Sequence, residues 1–382
     1  MKRLLFIVML GITLWGLSVD RDLWAVDYEI WALDQGLNQI YILKGSNLKE
    51  KPEVLDLAPL GGKAPHFILF NAGQTHAIVA YVGSGHLSII RASDRKAVFH
   101  EKLGTHTHVG VPTPDGRRII VANQNDEKIT EILADYKNDQ YTVGRILDLK
   151  ADPKLADDEA FPNRRPVCSM MTQDGTRLYA SIMGGGVAVI GVPEHSSEPL
   201  KVLRAFPRYV VANNGCGTLP SRDGSKMYVN TGTLNTSNFY VFDTKTNSLI
   251  KAVEMTSHGK DSHGLLLAGD GAYLWMFNRK SNNAVIFDTA SDEVAGTMEF
   301  VGESPDIPAM DPSGTRIYIT LRGSRPVTGG PEVAGKATGV AVIKLKKGGR
   351  QGALAEVVPL GDDPKADLHG IAIRPLPEKG VE

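Results

Sequence analysis

Six residues able to ligate a transition metal stand at one position of a repeated pattern. His66, His108, Cys216, His263 and Asp306 each lie seven residues before an Asp-Gly turn or its equivalent, at Gly73, Asp115, Asp223, Asp270 and Ser313. His369 joins them when "HGIAIRP" is aligned on "HGLLLAG". Only the unit containing Asp174 departs, with Val167 at the station and Cys168 one step along. Four of the ten histidines occupy these seven stations, where random placement would put about 0.2, so the pattern asks for an explanation. Imidazole, thiol and carboxylate together suit Cu, Fe or Zn better than Ca or Mg. Asp261, Asp367 and His106 lie two residues before His263, His369 and His108, on the same strand face, and are expected to orient those ligands. Two other readings stay open. The ring can instead hold ordered water or an anionic small molecule, and Cys168 and Cys216 can pair as a disulfide, which would withdraw Cys216 from coordination.

The elements that must position these residues are short strands. One unit recurs: an apolar strand, an Asp-Gly turn, then a strand rich in Ile, Val and Tyr. Its clearest copies are "PTPDGRRIIVANQ", "MTQDGTRLYASIM", "PSRDGSKMYVNTG", "LAGDGAYLWMFNR" and "MDPSGTRIYITLR". A looser strand pair follows each, as in "FYVFDTKTNSLIKAVEM". Four strands per unit at hairpin spacing predict propeller blades. Six units are complete. The N-terminal "YEIWALDQGLNQIYILKG…EVLDLA" lacks a first strand, and the C-terminal "DLHGIAIRP" supplies one. The expectation is an all-β, seven-bladed propeller of four-stranded blades, closed by both chain ends in one blade, with residues 26–382 as a single domain. The stations then ring one mouth of the axial channel. Second strands end at the same mouth, where Asn123, Asn278, Arg279 and Arg322 are candidate ligand-binding residues. The arginines would clamp an anion; ion pairing between blades is the plainer reading. Long loops at 151–166, 207–215, 256–262 and 323–339 elaborate this face, and function favours such a face.

The ends and the composition set the context. Lys2 and Arg3, an apolar run over 4–19 and Leu23-Trp24-Ala25 read as a signal peptide, residues 1–25, cleaved after Ala25. The other reading is an uncleaved anchor. Export to a periplasm or the cell exterior is expected, with no membrane contact after cleavage. A net charge of −1 argues against a nucleic-acid partner. Two cysteines cannot build a four-thiolate site. No Cys-x-x-Cys-His motif, P-loop, dinucleotide fingerprint or Gly-x-Ser-x-Gly elbow occurs, so no covalently attached cofactor is expected. Gly184-Gly185-Gly186 reads as a tight turn between strands.

Through its "DG…IIVAN" and "DG…MYVNT" strands the chain resembles the YVTN-type, YncE-like seven-bladed propellers of exported bacterial proteins. That resemblance implies fold and not activity. The histidine ring is similar in architecture to the selenium-binding protein/methanethiol oxidase propellers, whose cysteine motif this chain does not match. The leading expectation is a metal- or small-ligand-binding propeller, acting as a metal-dependent oxidoreductase. The alternatives are a non-catalytic subunit that docks a cytochrome or catalytic partner, as in amine dehydrogenases or hydrazine synthase, and a tetrapyrrole-binding propeller. The substrate and the catalytic residues stay unnamed.

Overall fold

The computed structural model describes residues 27–377; the expected signal peptide and its cleavage site lie outside them. The described chain forms seven four-stranded antiparallel sheets arranged in a ring. Blade 1 orders Leu368–Pro375, Tyr28–Asp34, Gln39–Lys44 and Glu53–Asp56 from the axis outward. Blade 2 spans 65–102, blade 3 107–148, blade 4 166–206, blade 5 214–254, blade 6 262–298 and blade 7 305–359. The innermost strand of each blade contacts those of both neighbours, which closes the ring. Among the described residues no helix is long and apolar enough to cross a membrane.

Local chemistry makes the blades. Gly116, Gly175 and Gly224 take positive φ of 69°, 68° and 72°, the left-handed conformation that costs glycine least. The preceding Asp115, Asp174 and Asp223 accept a hydrogen bond from the hydroxyl of Thr113, Thr172 and Ser221 and from the backbone N–H two residues on. The turn thus satisfies its own polar groups while it reverses the chain. Apolar side chains from both faces of the inner strands interleave between adjacent blades, with Trp31 and Trp275 wholly buried. Outermost strands such as Gln140–Asp148 carry mostly exposed or half-exposed residues.

The closure matches the sequence expectation. Tyr28 pairs with Pro375 and Asp34 with Leu368, so blade 1 holds together strands from opposite ends of the chain. Gly36 turns beneath this junction. A Cβ there would lie 1.7 Å from the Lys365 carbonyl oxygen, so the close approach admits only glycine.

Candidate metal site at the axial mouth

A β-bulge lies at every station of the innermost strands. In blade 2, Pro65 pairs with Tyr81 and Phe67 with Ala80, leaving His66 as the extra residue. His108 is the extra residue in blade 3, and Cys216 in blade 5. In the other four blades two residues face one, and the station is among them: Val167–Cys168, His263–Gly264, Asp306–Ile307 and His369–Gly370. A bulge bends the strand and re-aims the side chain that it frees. Here it gathers the stations at one mouth.

The histidines pack ring on ring. His66 stacks on His369 with centroids 3.6 Å apart, His108 meets His66 edge-on at 4.6 Å, and His263 meets His369 edge-on at 5.5 Å. Potential ligand atoms divide into two clusters, His263/Asp306/His369 and His108/Cys168/Cys216, each within 4.8 Å. His66 lies between them. All four rings line one cavity of about 420 Å³, together with Cys216 and Arg279.

Hydrogen bonds set the tautomers. His369 Nδ1 is 2.8 Å from the His66 carbonyl and must donate to it, which leaves Nε2 as a lone-pair atom 3.7 Å from Asp306 Oδ2. His66 Nδ1 donates to Gln35 Oε1 at 3.1 Å, while Gln35 Nε2 donates to Asp367 Oδ2 at 2.9 Å. That assignment leaves His66 Nε2 as an acceptor. His263 Nδ1 and Asp306 Oδ1 approach to 2.6 Å, a close imidazole–carboxylate contact with both side chains buried. With His369 they form a buried cluster of potential ligand atoms beside the cavity.

The charge balance points the same way. Arg322, fully buried, joins Asp306 at 2.9 Å to Asp367 at 2.8 Å, and Arg279 holds Asp261 at 2.9 Å while lying 3.9 Å from Asp306. Three carboxylates face two guanidiniums, leaving one formal negative charge in a desolvated wall. Burial opposes the charge on Asp306, but His263, His369 and the Arg322 guanidinium hold its pKa well below the usual carboxylate range. Burial first, then the neighbouring imidazoles and, for His66, Arg322, depress His66 and His108 strongly; for His263 burial and Arg279 outweigh the pull of Asp306. Burial takes His369 to about 3, against an opposing pull from Asp306. The imidazoles are therefore neutral and able to ligate at neutral pH.

This neutrality has a stability consequence. In the unfolded chain the same histidines bind protons below about pH 6.5, whereas in the fold they do not. The unfolded state then holds more protons, so stability falls as pH falls from about 6.5, at about 1.4 kcal/mol per pH unit for each imidazole that stays neutral. We expect the melting temperature of the metal-free protein to drop steadily between pH 7 and pH 5, with a shallower drop for His369→Gln. A flat profile over that window would contradict the assignment.

Other expected site residues fall elsewhere. Asp261 and Asp367 do not accept ring N–H groups from His263 and His369; both pair with arginines, and His369 uses a backbone carbonyl instead. Asn123 is spent on Thr107 and Thr130 within its blade, and Asn278 on Asn283 and on Ser237 of the neighbouring blade. Arg322 is an ion-pair centre with no exposed surface, and of the two arginines only Arg279 faces the cavity. His106 is half-buried on the cavity wall. Cys168 and Cys216 are bonded to each other, so in this state Cys216 offers no thiolate. Gln35, which fixes His66, was visible only as one polar residue at a strand end, a weak signal.

These features define a seven-bladed propeller with a buried histidine-rich site at its axis. No family model matches the chain, and no curated protein does. Solved structures do. The periplasmic gluconolactonase PpgL of Pseudomonas aeruginosa is similar at 16% identity and TM-score 0.67, over 92% of this chain and 100% of that one. A putative 6-phosphogluconolactonase from Bacteroides fragilis is similar at 14% identity and TM-score 0.68, over 91% and 98%. Hydrazine synthase of Kuenenia stuttgartiensis is similar at 16% and TM-score 0.54, over 73% and 76%. At these identities the likeness shows the fold alone.

Proposed function

We propose that this chain is an exported propeller of YVTN type that binds one transition-metal ion at its axial mouth and admits a small molecule beside it. The observation that carries the proposal is the buried cluster of His263, Asp306 and His369, whose potential ligand atoms lie within 4.8 Å of one another beside the cavity. His263, His369 and Asp306 would hold the metal. Two imidazoles and one carboxylate with remaining positions toward a cavity is a donor set used by catalytic iron, copper and zinc sites. Bound there, such a metal supplies Lewis-acid or redox chemistry, hence the oxidoreductase reading. The chain's own residues do the rest. Gln35 and the His66 carbonyl hold the rings in their tautomers, Arg322 keeps Asp306 ionised, and the loop at 323–338 packs Thr328 and Val333 over the mouth to limit water. A redox partner would dock on this same elaborated face.

Metal analysis of the purified protein tests this. About one Cu, Fe or Zn per chain is expected, with loss of that stoichiometry in His263→Ala and His369→Ala. Saturating the stripped protein at 100-fold above Kd should add about 2.7 kcal/mol of stability. A metal-free protein whose melting temperature ignores added Cu²⁺, Fe²⁺ and Zn²⁺ would rule the site out.

A further inference from the structure

The second cluster lies on the other side of the same cavity and does not depend on the first. Cys168 and Cys216 come from the innermost strands of adjacent blades, with Cα atoms 4.8 Å apart. Cys216 is part-exposed on the cavity wall, whereas Cys168 is buried beneath it with His108 Nδ1 4.0 Å from its sulfur. The bond is not what holds blades 4 and 5 together. Thr218 Oγ1 donates to the Cys168 carbonyl at 2.7 Å, and a cluster of Tyr179, Val189, Phe206, Val229 and Phe242 packs the two blades farther out. The bridge can therefore open without parting the ring.

We infer that the Cys168–Cys216 disulfide is the closed form of a second metal site, which reduction converts into a two-thiolate, one-imidazole centre for a thiophilic cation such as Zn²⁺ or Cu⁺. A dithiol delivers two electrons and becomes a disulfide itself. The Cys168–Cys216 bond breaks, each sulfur takes one proton, and the metal displaces both protons on binding. Geometry permits this. Tetrahedral zinc with sulfur at about 2.3 Å sets the two sulfurs roughly 3.8 Å apart and each sulfur roughly 3.6 Å from the imidazole nitrogen. The present 4.0 Å separation of His108 from Cys168 is already close to that value, and side-chain rotation parts the sulfurs. Two thiolates neutralise a divalent ion, so the centre needs no further charge from the wall. Its fourth position faces the cavity.

Cobalt reads this directly, because thiolate-to-Co²⁺ charge transfer is a near-ultraviolet signature that the nitrogen and oxygen donors of the first site cannot give. The full chain, stripped of metal, is titrated with Co²⁺ before and after treatment with a phosphine reductant, with far-ultraviolet circular dichroism recorded alongside. The expected result is no charge-transfer band in the oxidised protein and, in the reduced protein, a band of the amplitude of one thiolate-bound Co²⁺ per chain, complete by about two equivalents because the first site takes one without a band. The band should persist in His263→Ala and vanish in Cys216→Ser. His108→Ala, which keeps both sulfurs, should weaken Co²⁺ binding by at least roughly tenfold, the scale reached on removing even an outer-shell partner. Two free thiols in a folded protein without the band would overturn the inference. So would unchanged affinity in His108→Ala, or loss of the β-sheet signal on reduction alone.

Discussion

Arg322→Ala is expected to lower the melting temperature of the metal-free protein by about 4–7 °C, taking breakage of a buried ion pair as about 3–5 kcal/mol and an unfolding entropy of roughly 0.7 kcal/mol/K for a chain this size. Arg322 has no exposed surface and donates to Asp306 and twice to Asp367, while its Nη2 also reaches the Thr328 carbonyl and hydroxyl. Removing it strips Asp367 of its only ion-pair partner among the described residues and leaves Asp306 with the Arg279 guanidinium 3.9 Å away. The penalty is that of the stranded charges rather than the worth of the pair, and that distinction can be measured. Arg322→Met combined with Asp306→Asn and Asp367→Asn removes the charges together and should recover at least half of the loss. Thermal unfolding of the parent and the two variants at pH 7.5 decides the matter. If Arg322→Ala melts within 1 °C of the parent, the triad is not holding the mouth.

That triad also marks the boundary of what the sequence shows. Blade count, the stitched closure and the stations were legible because each rests on local, repeated chemistry. Asp-Gly turns recur at fixed spacing, apolar strands alternate with them, and the odd strands at the two ends fit one blade. Seven-residue spacing to the turn places His66, His108, Cys216, His263 and Asp306 at the mouth, and the alignment of "HGIAIRP" on "HGLLLAG" adds His369, without any knowledge of contacts. The roles of the flanking carboxylates were not legible. Two residues back along an ideal strand puts Asp367 on the same face as His369. The bulge at His369–Gly370 breaks that alternation and turns Asp367 toward Arg322. Asp261 stands one residue before its strand with a φ of 60°, outside any extended alternation, and pairs with Arg279. Nor could spacing divide the ring in two, because which stations touch depends on rotamers: His66 stacks on His369 and separates His108 from His263.

A chain ending at Lys365 is expected to lose the cooperative native transition altogether. The missing strand, Leu368–Pro375, buries Leu368 and Ile371 against neighbouring blades and pairs the whole length of Tyr28–Asp34. Burial of two such side chains is worth about 3–6 kcal/mol together. Loss of Asp367 strips half the partners from Arg322, a further cost of about 3–5 kcal/mol. The sum approaches the whole stability of an ordinary protein, about 5–15 kcal/mol. Tyr28–Asp34 would also become an open sheet edge beside the axis, a template for pairing with other chains. Truncated protein should therefore elute as oligomers and show no sharp melting transition. A synthetic peptide of residues 366–377 added in trans should restore both monomer and transition, because the strand is held by backbone pairing and side-chain pockets and by no covalent link. A circular permutant that joins 377 to 27 and opens the chain between the exposed Ala290 and Ser291 should melt no lower than the parent, since it makes the closure covalent. A truncated chain that stays monomeric and melts within a few degrees of the parent would show that six blades and three strands suffice. The axial site would then have to be supported without His369, which no other residue at that mouth replaces.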